Sequence, residues 1–307
     1  QRGERDLKKS GGVLRARAIV KYAFIRSAQK THRVTTLCRV LGVSRSGFYD
    51  WQRRDPSSRS QRNAWLVTRL CEIQRASRQA YGYRKSWAAL EREGIACGKH
   101  RVARLRREHG IWAKRRRRFV TATRARHTVD RAPNRLGRRF QTAAPDQVWV
   151  GDVTFIPTRE GWLYLAVQID LYARAVVGWA MSSRNNTALV ANALDMAIEQ
   201  RQPPSGLLHH TDQGQTYIAA SYRNRLKEQE MISSMSRRGD CWDNAVAESF
   251  FATLKFELMD RKPFESRRAA RAAIFEYIEA FYNRQRLHQT LGYRTPLEVE
   301  EASECGA

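Results

Sequence analysis

Three carboxylates stand where a charge is costly. Asp152 interrupts the apolar run DQVWVGDVTFIPT, between Gly151 and Val153. Asp212 closes GLLHHTD, two residues before Gly214. Glu248 follows Ala247 and precedes the Phe250–Phe251 pair in NAVAESFFATLKF. Any one of these acids alone reads as a turn cap or a solvated side chain. If the fold brings all three together, each pair at about 4 Å and an effective dielectric near 20 costs on the order of 4 kcal/mol. Such a cluster persists by holding a proton or by binding a cation. Oxygen-only ligands select hard ions, Mg²⁺ or Mn²⁺, over zinc. Two such ions would clamp a phosphodiester, one activating the attacking oxygen and the other steadying the leaving oxygen. The chemistry this constellation points to is metal-assisted phosphoryl transfer.

Steps of three and four residues along a helix add two neighbours to Glu248. Asn244 and Lys255 fall on the same stripe. That sets an amide and a cation beside the acid, in reach of a phosphate backbone. The alternative is structural, with Lys255 pairing to Glu248 through a water.

The elements that must position these acids are legible from period and turn chemistry. DQVWVGDVTFIPT, GWLYLAVQIDLYA and RAVVGWAMS are three β-rich runs separated by short turns, which predicts an antiparallel meander. Asn186–Gln200 reads as a helix, GLLHHTD as a short strand, Tyr217–Glu230 as a helix and MISSMS as another strand. Helices over Asn244–Met259 and Arg267–Arg284 follow. Strands first, then strands alternating with helices, give an α/β fold: a mixed sheet flanked by helices.

The front of the chain has another character. Residues 1–145 hold 38 Lys/Arg against 9 Asp/Glu, while residues 146–307 hold 18 against 21. Such a polycation calls for a polyanionic partner, nucleic acid first and an anionic membrane surface second. In VTTLCRVLGVSRSGFYDWQRR, Val34, Leu37, Val40 and Leu41 mark one helix. Gly42 ends it, Ser44 caps the next, and Phe48, Tyr49 and Trp51 follow. This is a helix-turn-helix, with Arg45 and the Arg53–Arg54 pair on its exposed side. A second all-α unit contains a helix over Ala64–Ala76, then YGYRKSWAALEREG and IACGKHRVARLRREHGI, with stops at Gly94 and Gly110. Here Val102, Leu105, Ile111 and Trp112 face inward, while Arg101, Arg104, Arg106 and Arg107 face out. The run Lys114, Arg115, Arg116, Arg117, Arg118 opens a basic linker that could track phosphates.

The chain thus divides into a polar tail (1–17), a helix-turn-helix (18–55), a second helical DNA-binding domain (60–113), a basic linker (114–145), a catalytic core (146–300) and a C-terminal tail (301–307). Five cysteines at wide, irregular spacing form no C-x-x-C pair, so reduced thiols rather than a zinc site are expected. No apolar run reaches the roughly eighteen residues needed to span a bilayer. Without a leader the chain reads as cytosolic. The first residue is Gln, not Met, which reads as a fragment or as a product joined to something upstream.

Several motifs in order carry a family resemblance. These are W-x-x-D-x-T (Trp149 to Thr154), G-W-x-Y-L (161–165), H-x-D-x-G (210–214) and SMSRRGDCWDNAVAESFF (234–251). YGYRKSWAALEREG and YNRQRLHQTLGYRTP (282–296) extend the likeness over nearly the whole chain. The chain resembles transposases of bacterial insertion sequences, in the IS-three group of the DDE transposase and retroviral integrase superfamily. The resemblance implies an RNase H-like catalytic core with Asp152, Asp212 and Glu248 as catalytic and metal-binding triad, holding two Mg²⁺ or Mn²⁺ per site. It implies that Asn244 and Lys255 lie near the bound DNA end. The implied reaction is cleavage and strand transfer, in which a 3′-hydroxyl freed by water attacks another phosphodiester. The implied partners are element ends and target DNA, the first-frame product of the same element, and further copies of the chain, at least a dimer on paired ends. The implied location is the cytoplasm, at the nucleoid, with no membrane. One departure stands out: the family pattern H-S-D-x-G-x-Q-Y reads HTDQGQTY here, so Thr216 replaces the glutamine. A nuclease of the same fold, and a DNA-binding regulator with an inert core, are the alternative readings.

Overall fold

The computed structural model describes residues 17–114, 131–237, 241–259 and 263–304, with backbone alone at 241–242. They fall into two compact units that meet in sequence between Leu66 and Val67. Among the described residues, no helix is long and apolar enough to cross a membrane.

The first unit carries helices α1 (Ala18–Ala28), α2 (Val34–Leu41) and α3 (Arg45–Arg53), and the start of α4 (Ser58–Ala76). The expected helix-turn-helix forms as α2 and α3. Gly42 ends α2 with φ +62°, a left-handed conformation that glycine adopts at little cost. The Ser44 hydroxyl accepts from the Gly47 N–H at 3.3 Å and caps α3. Ile25, Leu37, Cys38, Leu41 and Phe48 are the buried centre of this unit.

The second unit is built on a five-stranded sheet in the order β3-β2-β1-β4-β5. β1 (Val148–Thr158), β2 (Gly161–Asp170) and β3 (Val176–Ser182) form the expected antiparallel meander. After α7 (Thr187–Arg201) the chain returns as β4 (Leu208–Thr211), parallel to β1. The short helix α8 (Gln215–Ile218) and α9 (Ala220–Glu228) lead to β5 (Ile232–Met235), parallel to β4. A 3₁₀ turn (Cys241–Asn244) opens α10 (Ala245–Leu258). α11 (Arg267–Phe275) runs on into a π-helical stretch, Glu276–Tyr282. α12 (Pro296–Glu304) continues four residues past the expected core boundary at 300.

Alternation along β1 divides the interior in two. Val150 and Ile156 face Phe250, Phe251 and Leu254 of α10. Trp149 lies on the other side, in a cluster with Leu189, Leu194 and Tyr222 of α7 and α9. Helices therefore cover both faces of a mixed sheet, as the element order requires.

The rest of α4, with α5 (Tyr83–Arg92) and α6 (Lys99–Glu108), lies in this same second unit. The Tyr81 hydroxyl accepts from the Leu287 N–H at 2.7 Å. Arg92 pairs with Glu298, and Arg78 bonds Glu276 at 2.9 Å. The helical segment expected at 60–113 is thus docked, from residue 67 on, against the carboxy-terminal part of the core.

Two orientations in that segment depart from expectation. Arg106 faces inward, bonding the Ser86 hydroxyl at 2.7 Å and the Tyr81 carbonyl at 2.8 Å, and burial pulls its pKa down. The guanidinium is tolerated because polar partners meet it. Trp112 is exposed, while its neighbour Ile111 is buried, because α6 has already ended and the chain turns outward. Of the cysteines, Cys38, Cys71 and Cys97 are free; the side chains of Cys241 and Cys305 lie outside the described residues.

Candidate active site

The site begins with a register. β4 pairs with β1 from Val148↔Leu208 to Gly151↔Thr211, and the next residues along the two strands are Asp152 and Asp212. Neighbouring strands lie about 4.8 Å apart, so a parallel ladder that stops here leaves two acids side by side. β1 runs on for six more residues, paired to β2 and, at Thr158, bridged to Phe264. The acids therefore sit where the sheet narrows, beyond the carboxyl end of β4.

Glycine makes the approach possible. A Cβ on Gly151 would meet Gln168 Oε1 at 2.8 Å and Thr211 Cγ2 at 3.3 Å. That space is used by a buried network in which Gln168 Oε1 lies 2.9 Å from His209 Nε2, and the Tyr222 hydroxyl 3.2 Å from the same nitrogen. His210 is held by Ser234 at 2.8 Å and Ser236 at 3.1 Å. Burial lowers His209 to about 3 and His210 to about 4, so both rings are neutral at neutral pH. The histidines of HHTD tie β4 to its surroundings as neutral rings.

Glu248 enters from α10. Ala247, Phe250, Phe251 and Leu254 are buried and anchor that helix on the sheet. Glu248 leaves on the other side and is exposed, so the apolar neighbours do not bury it as the sequence suggests. The entry to α10 is fixed by Asp243, fully buried and bonded by Arg138 Nε at 2.9 Å and Arg237 Nε at 3.0 Å. Hydrogen bonds from Arg237 hold its pKa far below the carboxylate range. The sequence marks Asp243 only as an acid two residues past a cysteine at a helix start.

The electrostatics tie the three acids together. Burial raises Asp152 well above the ordinary range, and the charges of Asp212 and Glu248 push it further. The Val153 N–H, at 2.7 Å, and Lys255 oppose that shift. Asp212 is also raised by burial, against the Gly214 N–H it accepts at 2.9 Å. Glu248 is raised by partial desolvation. Among the described residues, no three His, Cys, Asp or Glu side chains already stand as ligands of one ion. The charges of Asp212 and Glu248 both reach Asp152, that of Asp212 more strongly, and Glu248 is exposed. The oxygen-only set, all three members raised toward their protonated form, fits a hard divalent cation.

The other expected residues divide. Lys255 sits with its ammonium 4.8 Å from the Phe155 ring centre, and the charge of Asp152 favours its protonated form although burial lowers its pKa. Asn244 is not on an open face: it is 4% exposed, precedes α10, and donates Nδ2 to the Gly151 carbonyl at 3.4 Å. It links the helix start to the strand one residue before Asp152, so a direct DNA contact does not fit its burial. Arg45 is exposed on α3, and Arg101 and Arg104 are half-buried on α6. Arg104 faces Glu108 at 3.3 Å. Lys114 is half-buried, its backbone N–H on the Gln79 carbonyl at 2.9 Å. Arg115, Arg116 and Arg117 lie outside the described residues. Tyr217, which the sequence shows only as the start of a helix, is buried, its hydroxyl has no hydrogen-bond partner among the described residues, and after burial the charges of Asp152 and Asp212 are among those that raise its pKa.

Comparison with known proteins matches residues 142–241 and 230–296 to integrase core domain models, and residues 59–119 to an HTH-like domain model. The chain is 43% identical over 265 residues to the insertion element IS600 uncharacterized 31 kDa protein of Shigella sonnei, covering 86% of this chain and 97% of the relative. It is 40% identical over 283 residues to the transposase InsF for insertion sequence IS3A of Escherichia coli (strain K12), covering 92% of this chain and 98% of the relative.

Proposed function

We propose the following activity for the chain, which belongs to the IS3 group of DDE insertion-sequence transposases: it cuts DNA at the ends of its element and joins them to target DNA, using Asp152, Asp212 and Glu248. The observation that carries this reading is the β1/β4 register, which ends one residue before Asp152 and Asp212, on a core whose helix α10 carries Glu248. The basic front half, with its helix-turn-helix, would bind the terminal repeats.

Asp152, Asp212 and Glu248 would hold magnesium or manganese, two ions per site. Bound there, such ions supply activation of the attacking oxygen and charge relief at the leaving oxygen. The protein's own contribution is placement. Asp152 is fixed by its strand, Asp212 follows β4 directly and is held by the Gly214 N–H, His209 and His210 lock β4, and Asn244 and Asp243 fix the helix that carries Glu248. Lys255, beside Asp152, would bind a phosphate of the DNA end. The reaction is two in-line displacements: water frees a 3′-hydroxyl, and that hydroxyl attacks a second phosphodiester and displaces its 3′-oxygen. Pairing two ends calls for at least two copies of the chain, and the first-frame product of the element would complete the assembly. The setting is the bacterial cytoplasm.

The test incubates the chain with labelled element ends in Mg²⁺, with and without the first-frame product. Nicking or joining should disappear in Asp212→Ala and Glu248→Ala while end binding persists. Full activity in both variants would remove the triad from the reading. Binding without any cleavage by the parent chain would favour the regulator, and cleavage without joining the nuclease.

A further inference from the structure

The later part of the basic linker folds into a tight turn against the core. Asn134 Oδ1 accepts from the Gly137 N–H at 2.9 Å, and Gly137 and Arg138 both take left-handed angles, φ +55° and +62°. Arg138 carries a side chain, so that conformation is disfavoured for it and needs partners to hold it. Leu136, inside the turn, is 2% exposed and joins the cluster of Val150, Phe251 and Leu254.

Two buried groups of the core meet this turn. The first is Ser234 on β5, which stands opposite His210 in the β4/β5 register. Its Oγ accepts from the Arg135 N–H at 2.9 Å and the Leu136 N–H at 3.3 Å, and lies 2.8 Å from His210 Nδ1. With both lone pairs taken, the hydroxyl has its proton to offer His210. Nδ1 therefore accepts and Nε2 carries the ring proton, facing Ser236 at 3.1 Å. His210 is two residues before Asp212. The second group is Asp243, in the 3₁₀ turn that opens α10, five residues before Glu248. Asn134 Nδ2 donates to Asp243 Oδ2 at 2.8 Å, and Arg138 Nε to Oδ1 at 2.9 Å.

Arg237 by itself gives Asp243 three bonds, from its backbone N–H at 2.9 Å and from Nε and Nη2 at 3.0 Å. The linker's bonds are thus not needed to satisfy that buried acid. What they add is a tie: a single turn grips both the strand that leads into Asp212 and the helix that bears Glu248.

We propose, on the reading of Asp212 and Glu248 as metal ligands, that linker residues 134–138 position those two acids relative to each other and so set the metal affinity of the site. In this role Asn134 and Arg138 act through Asp243, and the backbone of the turn acts through Ser234 and His210. The linker is thereby part of the site's support as well as its connection to the basic front half.

The test is Mn²⁺ binding to the whole chain without DNA, followed by the electron paramagnetic resonance signal of free Mn²⁺. Asn134→Asp keeps an oxygen for the Gly137 N–H but sets a carboxylate against Asp243. It should weaken Mn²⁺ binding by about ten- to one-hundred-fold, the range for groups that orient metal ligands. Arg138→Gly relaxes the left-handed backbone and drops the bond to Asp243, and should weaken binding in the same direction. The exchange of Asn134→Asp with Asp243→Asn rebuilds an amide–carboxylate bond with its roles reversed. It should recover most of the loss, which a turn that merely stabilises the fold would not do. Binding of element ends in chelator should stay at the parent level in all three. Unchanged Mn²⁺ affinity in both single variants would overturn the proposal, as would an exchange no better than Asn134→Asp alone. Glu248→Gln and Asp212→Ala, titrated alongside, test the ligands themselves. If they bind Mn²⁺ as the parent does, the ligand reading fails and the positioning role with it; if they lose Mn²⁺ and Asn134→Asp does not, the positioning role alone fails.

Discussion

Replacing Asp152 by Asn should make the metal-free protein more stable and leave it unable to gain from metal. Were both acids ionised, two unit charges one strand spacing apart, about 4.8 Å, would repel by about 3.5 kcal/mol at an effective dielectric of 20 and by about 0.9 kcal/mol in bulk water. Burial adds to the cost of ionising Asp152. Asp212 is exposed, which draws the effective value toward the lower limit. Lys255 works in the opposite sense, since it loses an anion when Asp152 is neutralised. The amide oxygen of Asn can still accept the Val153 N–H that Asp152 takes at 2.7 Å, so little else changes. The net expectation is a gain of about 1–2 kcal/mol for Asp152→Asn, or a midpoint higher by about 2–8 °C for a unit of this size.

The assay is urea or thermal unfolding in chelator, repeated over a Mg²⁺ titration. A ligand at one hundred times its dissociation constant stabilises the folded state by about 2.7 kcal/mol. The parent chain should show that gain, and Asp152→Asn should show little of it, so the order of stability reverses as Mg²⁺ rises. Asp152→Asn less stable than the parent in chelator would refute the repulsion argument. An equal Mg²⁺ gain in both would refute the assignment of Asp152 as a ligand.

Three other expectations follow from the same geometry. Asp170 is fully buried and burial raises it to about 7; its contribution is complete below pH 4 and lost as pH rises through 7. Unfolding measured across that window should show the parent falling relative to Asp170→Asn by on the order of 4 kcal/mol. Glu257 and Arg286 form a buried pair at 2.8 Å, with the Tyr277 hydroxyl also donating to Glu257. Glu257→Ala strands the guanidinium and should cost about 3–5 kcal/mol in urea unfolding, whereas Glu257→Leu with Arg286→Met should recover most of it. For DNA binding, each phosphate neutralised adds about 0.9 to the log–log salt slope, so Arg45→Ala should flatten it by about that amount if Arg45 meets a phosphate.

What was legible in the sequence was what local pattern determines. The meander announced itself because three strands joined by short turns can hardly pair otherwise, and α2 and α3 because Gly42 and Ser44 punctuate them. The π-helical run at Glu276–Tyr282 and the break between α8 and α9 left no trace in the apolar period. Arg106 read as a surface residue because one-dimensional spacing cannot see that Tyr81 and Ser86 wait for it across two helices. Asn244 read as a DNA contact because counting by four extends α10 one turn too early, into a 3₁₀ turn.

The acids divide along the same line. Position and family motif group Asp152 with Asp212 in the sequence; their approach comes from a parallel register between strands sixty residues apart, which no local signal encodes. Glu248 looked buried because its sequence neighbours are, but a helix advances about 100° per residue, so Ala247, Phe250, Phe251 and Leu254 share a stripe that Glu248 leaves. The correction changes the physics of the site. The charge of Glu248 acts on Asp152 less than that of Asp212 does, so most of the repulsion in the metal-free protein lies between Asp152 and Asp212. Glu248→Gln should accordingly leave metal-free stability within about 0.5 kcal/mol of the parent, where Asp152→Asn raises it. A large stabilisation by Glu248→Gln would mean that the third carboxylate is already drawn in before any cation binds.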